Sequence, residues 1–418
     1  MKAEVRREAR SAAETTVTFL KWLLIAGLTG AVGGLVGTTF HLSVQWATAT
    51  RTAHPWLLWG LPLGGLLIAA LYHAARMENK NTNAIIDAIH FGDDVPLLLV
   101  PCIYLGTVIT HLFGGSAGRE GAALQIGGSL GCYIGRLVHL DAKDMRIATL
   151  CGMSAVFAAL FGTPLTATLF ALEVISVGVF YYSALVPCTV AALAAFGISM
   201  AFGVPPTRFA LSVEPLQTAM LLRVAGLAIL CSIMSILFCV TMHGTEHVLA
   251  RRIPNGFVRI ALGGAVIVAL THLVGAMDYN GAGMEIISAA IEQGKAAPGA
   301  FLLKLLFTAI TIGCGYKGGE VVPTFFIGAT LGCVAGPLLG VPAGFAAALG
   351  LVCVFCGAVN CPIASIVLSV ELFGATELIY FALACGIAYM LSGYFGLYSS
   401  QKILYSKLRA EFIDVHAK

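Results

Sequence analysis

The sequence predicts an all-α polytopic membrane protein in which several helices are short and broken. Three observations carry this. Hydrophobic residues make up 58% of the 418 positions before any of the 48 glycines is counted, whereas soluble domains average roughly 45–50% with glycine included. Charged residues are 11%, where about 25% is usual, too few to coat a water-facing surface. Apolar runs of spanning length alternate with shorter, glycine-interrupted pieces. A soluble enzyme and a disordered chain are thereby set aside. The 24 basic and 21 acidic residues nearly balance, at +3, so bulk charge gives no case for a nucleic-acid partner.

Residues 1–18 form a basic cytoplasmic segment with Lys2, Arg6, Arg7 and Arg10 and no clear small-residue cleavage site. The apolar runs that follow are Phe19–Val44, Trp56–Tyr72, Leu97–Phe113, Ile147–Leu160, Tyr182–Ala201, Ala219–Val240, Val258–Val274, Ala300–Cys314, Ala343–Val359 and Ile379–Tyr394. A spanning helix needs about 20 apolar residues, fewer if it is surrounded by protein. The pieces Ala122–Ile134, Pro164–Val179, Val321–Leu339 and Pro362–Phe373 are too short to cross lipid alone. Broken helices of this kind expose their ends to ions in transporters. Residues 401–418 leave room for a short cytoplasmic tail and no soluble regulatory domain. Both ends are basic, with Lys402, Lys407 and Arg409 late in the chain. Both are therefore expected in the cytoplasm, with an even number of crossings.

The short pieces recur. Gly118-Arg119-Glu120-Gly121 leads into Ile126-Gly127-Gly128, and Gly318-Gly319-Glu320-Val321 leads into Ile327-Gly328-Ala329. Pro164 precedes Glu173 by the same nine-residue interval that separates Pro362 from Glu371. We read a first membrane repeat over 19–203 and a second over 217–400, with the divide near Gly203–Gln217. Weak internal repeats of this kind place an ion site between the halves.

Both glycine-rich segments open a helix. Their glycines let backbone approach a ligand closely, and the first amides of a helix are unpaired and lie at its positive end. Two such ends converging would hold an anion without a buried cation. Glu120, flanked by apolar sequence, can occupy the anion's place when charged and leave it when protonated. The plainer reading is a carboxylate that only complements the helix dipole; an ionisable residue at membrane depth argues for function.

These residues are recognisable together. Gly118-Arg119-Glu120-Gly121, the Gly319-to-Pro323 loop and Tyr398 resemble the CLC chloride channel and anion/proton antiporter family, and the resemblance runs from about Phe19 to Lys407. It implies a CLC-type inverted repeat of about eighteen helices and a homodimer with one pore per subunit in the plasma (inner) membrane. It implies no cofactor and no enzymatic chemistry. Glu120 matches the gating glutamate, Gly118, Arg119 and Gly121 its loop, and Tyr398 the tyrosine whose hydroxyl touches the anion. The amides of Glu320 and Val321, with Val322, match the loop that lines the anion site. On residue chemistry alone Tyr398 is as readily an interfacial aromatic.

Finer details resemble the bacterial fluoride/proton antiporter branch, namely His111 to Gly121 and Gly315-Tyr316-Lys317-Gly318-Gly319-Glu320-Val321. The chloride branch has an apolar pair in place of Glu320-Val321 and a serine-containing Gly-Ser-Gly-Ile-Pro loop, absent here. Its exchangers carry an internal glutamate where this chain has Val174. In the fluoride branch Glu320 takes part in proton movement; the plainer reading pairs it with Lys317. Two stretches depart from the branch: Val322 stands where Thr is usual, and Asn81-Thr82-Asn83-Ala84 stands for Gly-Asn-Asn-Leu. Asn83 either donates its amide to the anion, or Asn81 to Asn83 cap the next helix. The expected function is fluoride export coupled to proton entry. The alternative is a chloride channel or chloride/proton exchanger of the same fold.

Other residues read as structural. The symmetry of Glu173 and Glu371 suggests that they cap neighbouring backbone. Lys304 and Arg223 are expected to snorkel, and Phe325 and Phe326 to pack in the core. The twelve cysteines, Cys353 and Cys356 included, read as small hydrophobes. His73, His90 and His111 lack metal-ligand spacing.

Overall fold

The computed structural model describes residues 2–78, 80–92, 94–211 and 217–418. Of the Gly203–Gln217 divide, positions 212–216 lie outside the described residues, as do the side chains of Lys2, Arg6 and Arg7. The first half contains α1 (Lys2–Ala53), α2 (Leu61–Ala75), α3 (Thr82–Phe91), α4 (Leu99–Phe113), α5 (Glu120–Leu137), α6 (Ala142–Phe161), α7 (Pro164–Glu173) and α8 (Leu185–Ala201). The second contains α9 (Thr218–Arg252), α10 (Gly256–Val274), α11 (Met284–Glu292), α12 (Ala300–Gly313), α13 (Val321–Ala335), α14 (Ala343–Val359), α15 (Pro362–Phe373) and α16 (Leu378–Leu391). With three short 3₁₀ turns, that makes sixteen α-helices among the described residues, where the resemblance implies about eighteen.

Packing follows one plan twice. α1 lies on α8 and α6, and α9 lies on α16 and α14. α5 packs on α6, and α13 on α14. α2 meets α10, and α7 meets α15, across the middle. The tightest seams are made by glycine. A Cβ on Gly152 would run into the carbonyl oxygen of Gly127, and one on Gly350 into that of Gly328. These helices touch backbone to backbone, as small residues permit in membranes.

Among the described residues, six helical spans are long and apolar enough to cross a membrane: Arg10–Ala53, Pro55–Ala75, Ala142–Phe161, Tyr182–Ala201, Thr218–Arg252 and Gly256–Val274. Their outer faces carry exposed Leu24, Trp46, Leu222 and Leu273, as helices bordered by lipid do. The protein is a helical membrane protein. α5 and α13, by contrast, are buried along almost their whole length.

The helix ends explain the boundaries. Asp141 accepts hydrogen bonds from the N–H groups of Lys143 and Asp144 and starts α6. Gly162 follows in the left-handed region, φ +70°, and stops the helix there. Glu173 accepts from Ile363 N–H (3.1 Å) and Ala364 N–H (2.9 Å), while Glu371 accepts from Leu165 N–H (3.0 Å) and Thr166 N–H (2.8 Å). Each half thus caps a helix of the other, which is the backbone-capping task expected of this pair. α7 and α15 both begin with proline, which has no N–H to leave unpaired.

The chain beyond α16 is not all irregular. β2 (Lys402–Tyr405) pairs parallel with β1 (Ser176–Val177) and antiparallel with β3 (Phe412–His416). The sequence reading of 401–418 as a short tail did not anticipate these strands; one partner of β2 lies more than two hundred positions earlier and the other only a short loop later.

Candidate functional site: two clasped helix starts

α5 and α13 begin at the same place in the molecule. The Gly118 N–H donates to the Gly319 carbonyl (2.7 Å) and the Gly319 N–H to the Gly118 carbonyl (2.8 Å), a two-bond antiparallel bridge between the loops that precede them. Glycine is required at this clasp: a Cβ on Gly319 would press on the backbone nitrogens of Glu120 and Gly121. Pro323 sits in the first turn of α13. The convergence of two helix starts expected from the repeated motif is therefore present.

Glu120 is fully buried. One carboxylate oxygen, Oε2, accepts from the Arg119 N–H at 2.9 Å, and Oε1 lies 3.5 Å from Arg119 Nε. Oε1 has no hydrogen-bond partner. Oε2 and the Cβ of Val322, at the start of α13, lie 2.7 and 3.0 Å from where a Cβ on Gly118 would stand. Glu120 therefore rests between its own helix start and that of the other half. Arg119 is anchored in turn by the Leu160 carbonyl, 3.5 Å from its Nη2.

Glu320 stands just ahead of α13. Its Oε2 is buried without a hydrogen-bond partner and is 3.0 Å from where a Cβ on Gly121 would stand. The ion pair with Lys317 is not formed: Lys317 Nζ instead lies over the Tyr72 ring, 4.2 Å from its centroid. Tyr398 is 2% exposed, and its hydroxyl has no partner. That hydroxyl is within electrostatic reach of both Glu320 and Glu120. Three buried oxygens thus lack a hydrogen-bond partner, Glu120 Oε1, Glu320 Oε2 and Tyr398 Oη, and the tyrosine is influenced by both carboxylates. Buried polar atoms are rarely left so, and each such group calls for a ligand, a proton or water.

The loop bearing Tyr398 is held from three sides. Leu397 N–H donates to the Ala358 carbonyl at 2.7 Å. The Gln401 amide nitrogen bridges the carbonyls of Val174 (3.0 Å) and Val359 (2.9 Å). Asn83 Oδ1 accepts from Ser400 N–H at 3.2 Å. Asn81 accepts from Ala84 N–H and caps α3. The two asparagines so divide the tasks: Asn81 caps, and Asn83 steadies the tyrosine loop. Val321 and Val322 are buried at the start of α13.

A strap behind the Glu120 loop escaped sequence reasoning. Asn280 Nδ2 donates to the Gly114 carbonyl (2.7 Å), Gly281 N–H to the Gly115 carbonyl (2.9 Å), and Ser116 N–H to Thr311 Oγ1 (3.1 Å). Lys304, expected to snorkel, is completely buried and donates to the carbonyls of Tyr279 (3.2 Å) and Gly281 (2.6 Å). Buried Arg51 donates to the His111 carbonyl at 2.8 Å. The available signal was a lysine in the middle of an apolar run. Arg223 lies at the surface and donates to the Gly340 carbonyl. Phe325 and Phe326 pack against Phe355 and Tyr279 in the core. His73, His90 and His111 hold separate partners, Glu78, the Ile175 carbonyl and the Thr107 carbonyl. No metal-binding group of three occurs among the described residues.

A helical membrane scaffold whose two halves meet at paired glycine-rich helix starts, with protonatable carboxylates between them, defines a class of ion-transport proteins. The chain matches the family model described as voltage gated chloride channel over residues 64–393, and it belongs to that family. It is 39% identical over 396 residues to the "Chloride/fluoride channel protein" of Pseudomonas syringae pv. tomato, covering 93% of this chain and 87% of the relative. It is 27% identical over 459 residues to the "H(+)/Cl(-) exchange transporter ClcA" of Cronobacter sakazakii, covering 98% and 93%. Among solved structures it is similar to a CLC-type fluoride/proton antiporter, with a TM-score of 0.88, 34% identity and coverage of 92% and 98%.

Proposed function

We propose that the protein exports fluoride in exchange for protons, with Glu120 as gate and proton carrier and Glu320 as a second proton-exchanging carboxylate. The observation that carries this reading is the pair of buried, incompletely bonded carboxylates at the clasp, both felt electrostatically by the unpartnered Tyr398 hydroxyl. Fluoride is small and strongly hydrated, so its site must present dense N–H and O–H donors in place of water. The Gly118 N–H is held by the Gly319 carbonyl and shapes the loop; the amides of Gly121, Glu320, Val321 and Val322 offer N–H groups, that of Arg119 joins them when Glu120 leaves it, Tyr398 offers a hydroxyl, and Asn83 a side-chain amide once its carbonyl is committed to Ser400. A protonated Glu120 adds an O–H; deprotonated, it repels the anion and takes its place. No covalent chemistry and no cofactor enters this cycle.

The repeats 19–203 and 217–400 form the two halves of one pore. Two subunits associate in a plasma membrane, with the segment 1–18 and the tail 401–418 on the cytoplasmic side. The resemblance to the fluoride/proton antiporter supports this reading. Val322 favours a second one: with an apolar side chain beside the anion path, chloride is less disfavoured, and the exchanger of Cronobacter sakazakii is named for that ion. Efflux from liposomes holding the purified protein decides between them, with fluoride, chloride and pH electrodes run in parallel and no protonophore. Fluoride leaving with stoichiometric opposed proton movement is the expected result. Chloride leaving as readily, with no proton movement, makes the protein a chloride channel.

A further inference from the structure

α5 carries a stripe of residues that the anion site does not use. Gly121, Gln125, Ser129, Cys132 and Arg136 follow each other at intervals of four, four, three and four, which puts them on one face of the helix. α3 covers that face: Thr82 Oγ1 is 3.5 Å from the Gly121 carbonyl oxygen and accepts from Gln125 Nε2 at 3.1 Å. Ile85 packs on Gly128 one turn further along.

The stripe has two ends. At one, Gly121 abuts the unpartnered Oε2 of Glu320. At the other, Arg136 donates to the Val95 carbonyl and pairs at 2.8 Å with Asp94, whose side chain is 76% exposed. This end lies on the side of the molecule where α1 begins, because Lys21 of α1 pairs with Asp144 in the first turn of α6. Between the ends, Gln125 Oε1 and Ser129 Oγ are buried, and neither has a partner. The bond from Nε2 to Thr82 fixes the Gln125 amide with Oε1, an acceptor, on its other side. Residues four apart on a helix are neighbours, and a water between them would donate to both oxygens, as buried waters commonly do.

We propose that the α3-facing stripe of α5 is a hydrated proton branch that joins Glu320 to the Asp94–Arg136 pair at the surface. It rests on the antiport reading above and adds residues to it. A proton leaving the Glu320 carboxyl breaks that O–H bond and forms one on the adjacent water; each successive oxygen gains one proton and gives up another. Gln125 positions the water, and the Ser129 hydroxyl both accepts and donates. The anion, meeting Tyr398, takes a different face.

The test compares liposomes holding the parent with those holding Gln125→Met/Ser129→Ala, which removes both polar atoms at nearly constant volume, and Ser129→Thr, which keeps the hydroxyl. Proton movement in the double variant is expected to fall about a hundredfold or more, the lower edge of what a positioned proton-transfer group contributes, while Ser129→Thr stays within about twofold of the parent. A coupled parent with an unchanged double variant overturns the branch alone. A parent that moves fluoride without protons overturns the antiport reading and the branch with it. Should the double variant fail to fold, a map of the parent that shows ordered water decides: density joining Gln125 Oε1 and Ser129 Oγ supports the branch, and a dry gap overturns it.

Discussion

Glu120 and Glu320 stand out in the sequence because a carboxylate in apolar surroundings is costly, and only a task keeps it there. Their partners were not legible. Whether Glu320 pairs with Lys317 depends on where Tyr72 places its ring, a matter of packing between distant segments. In Glu120→Ala the carboxyl is lost from the clasp, so fluoride movement is expected to lose its proton coupling by about a hundredfold or more, read with a pH electrode on loaded liposomes. Unchanged proton transport in that variant excludes Glu120 as the carrier. At the membrane edge, Asp141 is held below the usual carboxylate range, chiefly by the N–H of Asp144. A carboxyl depressed in the folded state contributes stability above its unfolded pKa and loses it as pH falls through the folded value. Thermal stability of the parent should therefore decline below about pH 4. Asp141→Asn, which keeps an acceptor and has no charge to lose, should show a shallower decline between the same pH values.

Among elements, the sequence located most helices to within a few residues. α14 and α15 match their apolar runs, while α9 extends a dozen positions further than hydropathy alone indicates. Hydropathy reports lipid and core, and the polar end of α9 is helical because helix hydrogen bonding continues past the apolar part. The reciprocal caps are a testable element-scale feature. Removing the Glu371 carboxylate leaves the N–H groups of Leu165 and Thr166 without their acceptor, at a cost of about 1–3 kcal/mol. Glu371→Ala should lower the midpoint of thermal unfolding in detergent, and Glu173→Ala should do the same through Ile363 and Ala364. The glycine seam behaves differently. Gly152→Ala forces α5 and α6 apart, and overpacking of this kind costs typically about 1–3 kcal/mol; the same assay should show a loss that Gly197→Ala, with open space around it, does not produce.

For the whole molecule, the short strands are the feature least available from sequence. β3 lies against β2, and its neighbours Ala417 and Lys418 bond to Gln401, Tyr394 and Gly396, on either side of Tyr398. Ending the chain at Arg409 should therefore raise amide exchange over residues 394–405, measured by hydrogen–deuterium exchange, while α5 and α6 remain protected. An unchanged pattern would show that the tyrosine loop is held by Asn83 and Gln401 alone.

The Gly118–Gly319 bridge sets a limit on how the protein moves. Large rocking of one half against the other, the usual way to alternate access, would have to pull apart two short backbone hydrogen bonds at the centre of the molecule. With that pin in place, the pieces free to rearrange are carboxyl groups and single loops, whose excursions are a few ångströms and fast on the scale of domain motion. Turnover in such a machine is paced by side-chain rotation and proton arrival, so its rate should depend only weakly on bilayer thickness and lateral pressure.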